Sequence, residues 1–472
     1  MIDGLKPYPA MRDSGVPWLG EVPEHWEVRR LGGSVVGCIN GVWGDEPNGI
    51  DDLPCVRVAD FDRTRLRVRL NRPTLRAISA GDRRRRLLQS GDLLLEKSGG
   101  GDLQPVGVVM LYDHATTAVC SNFVARMPVA HGFDPAYLTY LHSTLYAVRL
   151  NVRSIKQTTG IQNLDSSLYL SETVAFPSAP EQAAIVRFLD LADRRIRRYI
   201  RAKQKLIKLL GEQKQAIIHR AVTRGFDPNV RLKPSGVEWL GDVPEHWEVS
   251  RVKNEFVCLN RHRVPLSATE RGAMTLRRYD YYGASGIIDK VEEYLFDNDL
   301  LLIAEDGANL VLRNLPLAII ARGRFWVNNH AHILKPRRGN LEYLAAMMEC
   351  INYQPWISGA AQPKLTQDRL MGIAVAVAPP EEQDGIVRAM GEETAPLRAT
   401  IERARREIHL LREYRTRLIA DIVTGKLDVR EAAARLPEEI DDGDELENIE
   451  SGSVDEEAAT DSPEEALEDT EA

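Results

Sequence analysis

The chain has 472 residues, 43% of them hydrophobic and 28% charged, with a formal net charge of −8. That length holds two or more domains, each able to bury its own core, and the composition is that of a globular protein. No apolar run reaches the ~18 residues of a membrane span, the first residues lack the apolar stretch of a signal peptide, and the five cysteines form no C-x-x-C pair for zinc or redox chemistry. The expected compartment is the cytoplasm, with no membrane partner.

The net charge averages unlike parts. Residues 437 to 472 hold 17 Asp+Glu and no Lys or Arg, so the remainder carries +9. A segment so charged and so poor in apolar residues is expected to be a disordered acidic tail. A mildly basic body admits a polyanionic partner.

In chain order, the first signal is a repeat. Residues 14–31, SGVPWLGEVPEHWEVRRL, return as residues 235–252, SGVEWLGDVPEHWEVSRV, with 14 of 18 positions identical at an offset of 221. A period that long marks duplicated domains and not a solenoid. Residues 57 to 86 then hold 11 arginines against three aspartates. Arg63, Arg65, Arg67 and Arg69 alternate with apolar Leu66, Val68 and Leu70, which predicts a strand with one cationic face. Arg83, Arg84, Arg85 and Arg86 extend the run. Guanidinium groups match phosphate oxygens bidentately; a merely solvated face is the alternative.

Residues 91–95 and 298–302 predict corresponding strands, and residues 135–141 and 341–344 corresponding helices. Asp92 with Glu96 and Lys97 faintly suggests a metal-dependent nuclease. The spacing is not E-x-K and Ile303 replaces Glu96 in the second copy, so a strand with a charged end accounts for it better. Two polar loops suit base edges, since Arg pairs with guanine and Gln or Asn with adenine. One carries Lys156, Gln157, Thr158 and Gln162; the other carries Arg277, Arg278, Tyr281, Tyr282 and Ser285, although its tyrosines also suit a core. Asn328, His330 and His332 read as a polar hydrogen-bonding edge; no third ligand for a metal lies nearby.

Two helical blocks follow the variable ones and repeat at an offset of 201, with Gln182, Ile185 and Val186 matching Gln383, Ile386 and Val387. Heptad seams through Ile196, Leu206, Leu210 and Ile217, and through Ile401, Ile408, Leu411 and Leu418, predict helices that pair with each other or with a partner's helix. Asp193 and Thr394 suit N-caps and Pro396 a first turn. Each block therefore reads as a short leading helix, a break and a helix of about 30 residues, roughly 45 Å long. The first long helix holds 11 Lys+Arg and one acid across residues 194 to 224.

No P-loop, nucleophile elbow, H-E-x-x-H, Rossmann fingerprint or amino-methyltransferase tetrapeptide is present. The chain reads as a binder with no catalytic residues or metal site of its own. The competing readings are a DNA nuclease or methyltransferase with a divergent site, and a helical adaptor that joins partners without reading sequence.

The duplicated S-G-V-x-W-L-G-[ED]-V-P-E-H-W-E-V block resembles the specificity (S) subunits of type I restriction–modification systems. So do the helix starts at Glu181-Gln182 and Glu382-Gln383, the run Val423-Thr424-Gly425-Lys426-Leu427-Asp428-Val429, and the stretches at 281–288 and 304–308. The resemblance spans residues 1–430. It implies an α+β fold with two mixed α/β target recognition domains (1–180 and, with a linker, 227–380), joined by spacer helices (181–226 and 381–430) packed as an antiparallel coiled coil; the disordered acidic tail, 431–472, is outside the pattern. It also implies a bipartite double-stranded DNA target, two methyltransferase (M) subunits using S-adenosylmethionine, and restriction (R) subunits using ATP and Mg; the unlike variable blocks predict that the target is asymmetric. The first block departs from the second: Lys97-Ser98-Gly99-Gly100 stands where the second has Ala304-Glu305-Asp306-Gly307, so contacts do not carry over between them.

Overall fold

The computed structural model describes residues 5–101, 103–158, 161–359 and 362–437, without the side chains of Gln157 and Thr158. The fold is mixed α+β. Short helices α1 (Ala80–Arg86) and α2 (Pro135–Ala147) precede the 46-residue helix α3 (Ala179–Arg224), and α4 (Leu341–Cys350) precedes the 44-residue helix α5 (Pro380–Val423). The chain forms two compact units. Among the described residues, unit 1 joins 5–200 to 409–437, and unit 2 is Arg201–Ile408.

Neither long helix is broken where the sequence placed a cap. Asp193 lies inside α3, where its carboxylate accepts from Arg197 Nε (2.8 Å) and Arg415 Nε instead of capping a helix. Thr394 lies inside α5 and donates its hydroxyl to Met390 O (2.8 Å), the back-bond that keeps Thr compatible with a helix interior. Pro396 is likewise inside the helix. In unit 1, Ile185, Leu189, Ala192 and Ile196 of α3 share a core with Leu418, Ile419, Ile422 and Val423 of α5, with Leu411 packed against it. The buried face passes from Ile196 to Ile200, a step of four, and leaves Tyr199 63% exposed where a heptad would cover it. In unit 2, Ile401, Ala404 and Ile408 are buried and Lys203 pairs with Glu407 at 2.6 Å. Leu210 and Ile217 are half-buried there, and Leu206 is 36% exposed.

Unit 1 is built on a six-stranded sheet with Asp92–Glu96 near its middle, between Val124–Met127 and Val109–Tyr112. All five residues of Asp92–Glu96 are buried. Its charged ends are ion-paired, Asp92 to Arg126 (2.6 Å) and Glu96 to Arg63 (3.2 Å). In unit 2 the matching strand Leu300–Ala304 is also fully buried, between Ala331–Pro336 and Ala318–Ala321. A second four-stranded sheet holds Tyr279–Gly283. The acidic tail starts later than residue 431, because Arg430–Ala434 is helical with Val429 and Ala433 buried. The rest of it, from 438, lies outside the described residues.

The repeated motif acts at the helix ends. In unit 1, Met11–Asp13 pairs with Glu21–Pro23 and Glu27–Arg30 with Thr173–Phe176. This delivers His25 and Trp26 to Glu181 in the first turn of α3: Trp26 Nε1 donates at 3.2 Å, His25 Nε2 lies 3.0 Å away, and the Tyr8 hydroxyl donates at 2.6 Å. Gln182 beside it accepts from Asp134 N (2.9 Å) and donates to Pro177 O (3.0 Å). In unit 2, Trp247 and His246 meet Glu382 at 3.1 and 2.9 Å, and Gln383 accepts from Asn340 N (2.7 Å) and donates to Ala378 O (2.8 Å). The same tryptophans close the far helix ends. Gly425 follows α5 with φ +76°, and a Cβ there would lie 2.3 Å from Pro23 Cδ. Glu181 is 5% exposed, so Glu181→Ala strands the Tyr8 hydroxyl and the Trp26 indole. That variant should lose about 3 kcal/mol of stability, read as a lower urea midpoint for unit 1, with Glu181→Gln losing less.

Candidate nucleic-acid interface

In unit 1 the arginine-rich segment is a turn and not the cationic strand that its alternation predicted. Asp62 Oδ1 accepts from Thr64 N and Arg65 N (3.0 and 2.9 Å), and Leu66 takes a left-handed φ of +58°. Only Arg67–Val68 is strand. Arg415 Nη2 donates to Thr64 O (2.7 Å), which ties this turn to α5. The four cations face acids: Arg63 pairs with Glu96, Arg65 and Arg69 with Asp62, and Arg67 with Asp113. The fields of those carboxylates already offset much of their charge.

The run beyond it behaves differently. Ser79 caps α1 by accepting from Asp82 N (3.2 Å). Arg83 is drawn inward to Ile78 O and Asp51, and Arg86 to Asn40 O, Gly41 O and Asp82. Arg84 and Arg85 are exposed and make no ion pair among the described residues. They are the cations of this segment best placed to meet phosphate. Unit 1 also has a cavity of about 480 Å³ lined by Trp43, Arg57, Glu96, Ser98, Asn122 and Phe123 among others. None of its aromatic rim was singled out by the sequence reading, although a tryptophan between near-adjacent glycines, Gly41-Val42-Trp43-Gly44, was a signal.

The stretch around residues 156–163 is a hairpin, Ile155–Thr158 against Ile161–Leu164. Gln162 is not available to a base: it is 6% exposed and accepts from Val106 N (3.2 Å). Lys156 is exposed and pairs with Asp165 at 2.8 Å. The side chains of Gln157 and Thr158 lie outside the described residues.

Unit 2 presents another hairpin, Tyr279–Gly283 against Gly286–Val291. Its tyrosines belong to the core. Tyr281 is 1% exposed with its hydroxyl 3.1 Å from Leu266 N, and Tyr282 packs edge-on against Phe325. Arg277 pairs with Asp289 (3.0 Å), while Arg278 and Ser285 are exposed. Asn328 is buried and holds the His330 N–H (2.8 Å), and His330 Nδ1 lies 2.9 Å from Asp306.

The Ala304–Gly307 turn rests on a polar cluster. Glu305 meets Arg263 at 2.5 Å, Lys364 at 3.4 Å and His332 Nδ1 at 3.5 Å. His332 is fully buried. Its Nε2 donates to Leu365 O (2.7 Å) and its Nδ1 accepts from Asn260 Nδ2 (2.7 Å), a pattern that needs the neutral ring. Arg263, Asn260 and Lys364 carried no sequence motif; they converge only through the fold. Along α3, Arg195 and Arg198 in unit 1 and Lys205 and Lys208 in unit 2 are exposed.

Parts of the chain are similar to known proteins. Residues 244–406 match the type I restriction modification DNA specificity domain. A proposed type I restriction enzyme specificity subunit of Haemophilus influenzae, S.HindORF215P, is 32% identical over 166 residues, covering 35% of this chain and 39% of that one. The proposed MjaX specificity subunit of Methanocaldococcus jannaschii is 21% identical over 437 residues, covering 87% and 96%. A solved structure from work on complex assembly and conformational transition of the type I R-M system shares the fold, with a TM-score of 0.59 at 16% identity over 86% of this chain and 99% of that one. No helix among the described residues is long and apolar enough to cross a membrane.

Burial lowers the His332 pKa below the ordinary histidine range. A histidine with a lowered folded pKa contributes stability that is complete above its unfolded value of about 6.5 and is lost as pH falls below it. The stability advantage of the wild type over His332→Gln should therefore shrink between about pH 6.5 and 5, by at most ~1.4 kcal/mol per pH unit. Urea unfolding of both proteins across that range tests this.

Proposed function

We propose that the chain is the DNA-reading specificity subunit of a type I restriction–modification complex, a reading supported by the likeness of residues 244–406 to the type I DNA specificity domain. One observation carries the proposal. The two units use the same His–Trp–carboxylate scaffold while presenting unlike polar surfaces, as two readers of unlike half-sites require. Unit 1 offers Arg84, Arg85 and an aromatic-rimmed cavity; unit 2 offers the Arg278–Ser285 hairpin and the Glu305 cluster. The target is then bipartite and asymmetric, because a symmetric one calls for like surfaces.

In this reading α3 and α5 form an antiparallel coiled coil that sets the distance between half-sites. The Asp193–Arg415 pair inside unit 1 and the Lys203–Glu407 pair inside unit 2 support it. Two methyltransferase subunits, supplied with S-adenosylmethionine, and ATP- and Mg-dependent restriction subunits complete a cytoplasmic complex. The chain itself contributes recognition and no catalysis.

The purified chain should bind one class of duplex selectively and neither cut nor methylate it; equal affinity for all duplexes at one fixed salt would sink the reading. Arg84→Ala with Arg85→Ala should weaken binding and lower the slope of log K against log salt by about 2, measured by titration at several salt concentrations. Adding one heptad to both long helices lengthens the spacer by roughly 10 Å, or about three base pairs. Mapping methylated adenines in cells that carry the full complex should show a longer spacer between unchanged half-sites.

A further inference from the structure

The cavity in unit 1 is built around two rings left in water. Trp43 is 38% exposed and Phe123 44%, and both line it. Trp43 is held rigidly. A Cβ on Gly41 would lie 2.1 Å from Ser121 O, and one on Gly44, where φ is +69°, would lie 2.5 Å from Ala77 O. No other residue fits at either position, so the loop is pressed onto its neighbours on both sides of the ring. The Arg76 guanidinium lies 4.7 Å over the indole and donates to Trp43 O (3.2 Å) and Gly44 O (3.3 Å). Arg86 donates to Asn40 O (2.5 Å) and Gly41 O (2.6 Å) from the other side. The ring's freedom is thus lost before any ligand arrives, which removes an ordering cost from binding.

The rest of the lining sets polar groups beside apolar Val58 and Ala59. Glu96 is 2% exposed and fixed by Arg63. Gly99 and Gly100 follow with φ of +114° and +60°, and bring bare backbone to the cavity edge. Lys97 is anchored to Asn40 Oδ1 (2.7 Å) beside the Trp43 loop. Two exposed rings in one cavity, a fixed acceptor and neighbouring cations supply the chemistry that recognises a nucleobase and its phosphates. Unit 2 has Ile303 where unit 1 has Glu96, in the matching strand Leu300–Ala304.

We propose that this cavity receives one nucleobase unstacked from the bound duplex, with its ring against Trp43 and Phe123 and its exocyclic amino group donating to Glu96. The amino group restricts the choice to adenine, cytosine or guanine. Stacking on the two rings replaces stacking in the duplex, so the base that leaves most easily and fits the acceptor is selected. This rests on the reading of unit 1 as a DNA-binding unit.

The test is a mismatch scan with the full chain. The duplex is the target mapped by methylation, and each half-site base in turn is given a non-complementary partner. Unpairing is already done at a mismatch, so at one amino-bearing position the mismatch should tighten binding by about tenfold. Trp43→Ala and Phe123→Ala should each abolish that gain while keeping salt-dependent binding to random duplex, which shows that the variants are folded. If the matched target is bound selectively but no mismatch tightens binding, or the gain survives both substitutions, the inference fails and the DNA-reading function stands. If the matched target is bound no better than random duplex, both fail together.

Discussion

Glu181 accepts from the Trp26 indole and faces His25 in one unit, and Glu382 does the same with Trp247 and His246 in the other. Each long helix therefore begins at a carboxylate that the repeated strands hold in place. A negative group in the first turn also suits the helix dipole, and the glutamine after it ties the start of α2 or α4 to the same point. Everything that faces outward in a unit is positioned from there. The central strands Asp92–Glu96 and Leu300–Ala304 are apolar on both faces apart from their ends, and the polar turns that follow them reach the surface at fixed places.

Much of this was legible in the sequence because it was written twice. The eighteen-residue repeat and the E-Q helix starts gave the two copies, and their spacing gave the plan of block then helix. The strands and the short helices of the two blocks also fall where their turn and periodic signals placed them. What the repeat did not reveal was purpose: nothing in P-E-H-W-E-V says that its histidine and tryptophan grip a glutamate 135 or more residues away.

The misreadings have one cause, which is that the decisive partners are remote. Arg63 to Arg69 alternate as a strand does, but Asp62 turns the chain locally, and Glu96 and Asp113, 33 and 46 residues on, take up the charge. Gln162 suits a base edge by composition and is claimed by Val106 N. Asp193 suits a cap and is claimed by Arg415, 222 residues later. Conversely Trp43 was overlooked, because a single exposed ring between glycines has no periodicity to mark it. Side-chain type predicts what a residue can bond, and only the fold decides which partner arrives first.

The composition of unit 1 also has a bearing on how the protein is made. Its core contains Ile185, Leu189 and Ile196 together with Leu418, Ile422 and Val423. On a ribosome the first group emerges long before the second, and at a typical elongation rate of about 5–20 residues per second the gap is roughly ten to forty seconds. Unit 2, contiguous from Arg201 to Ile408, is complete sooner. The nascent chain therefore carries an uncovered apolar face on its older half while its younger half is being made. That ordering makes the early half the natural client of a chaperone and the place where aggregation competes with folding.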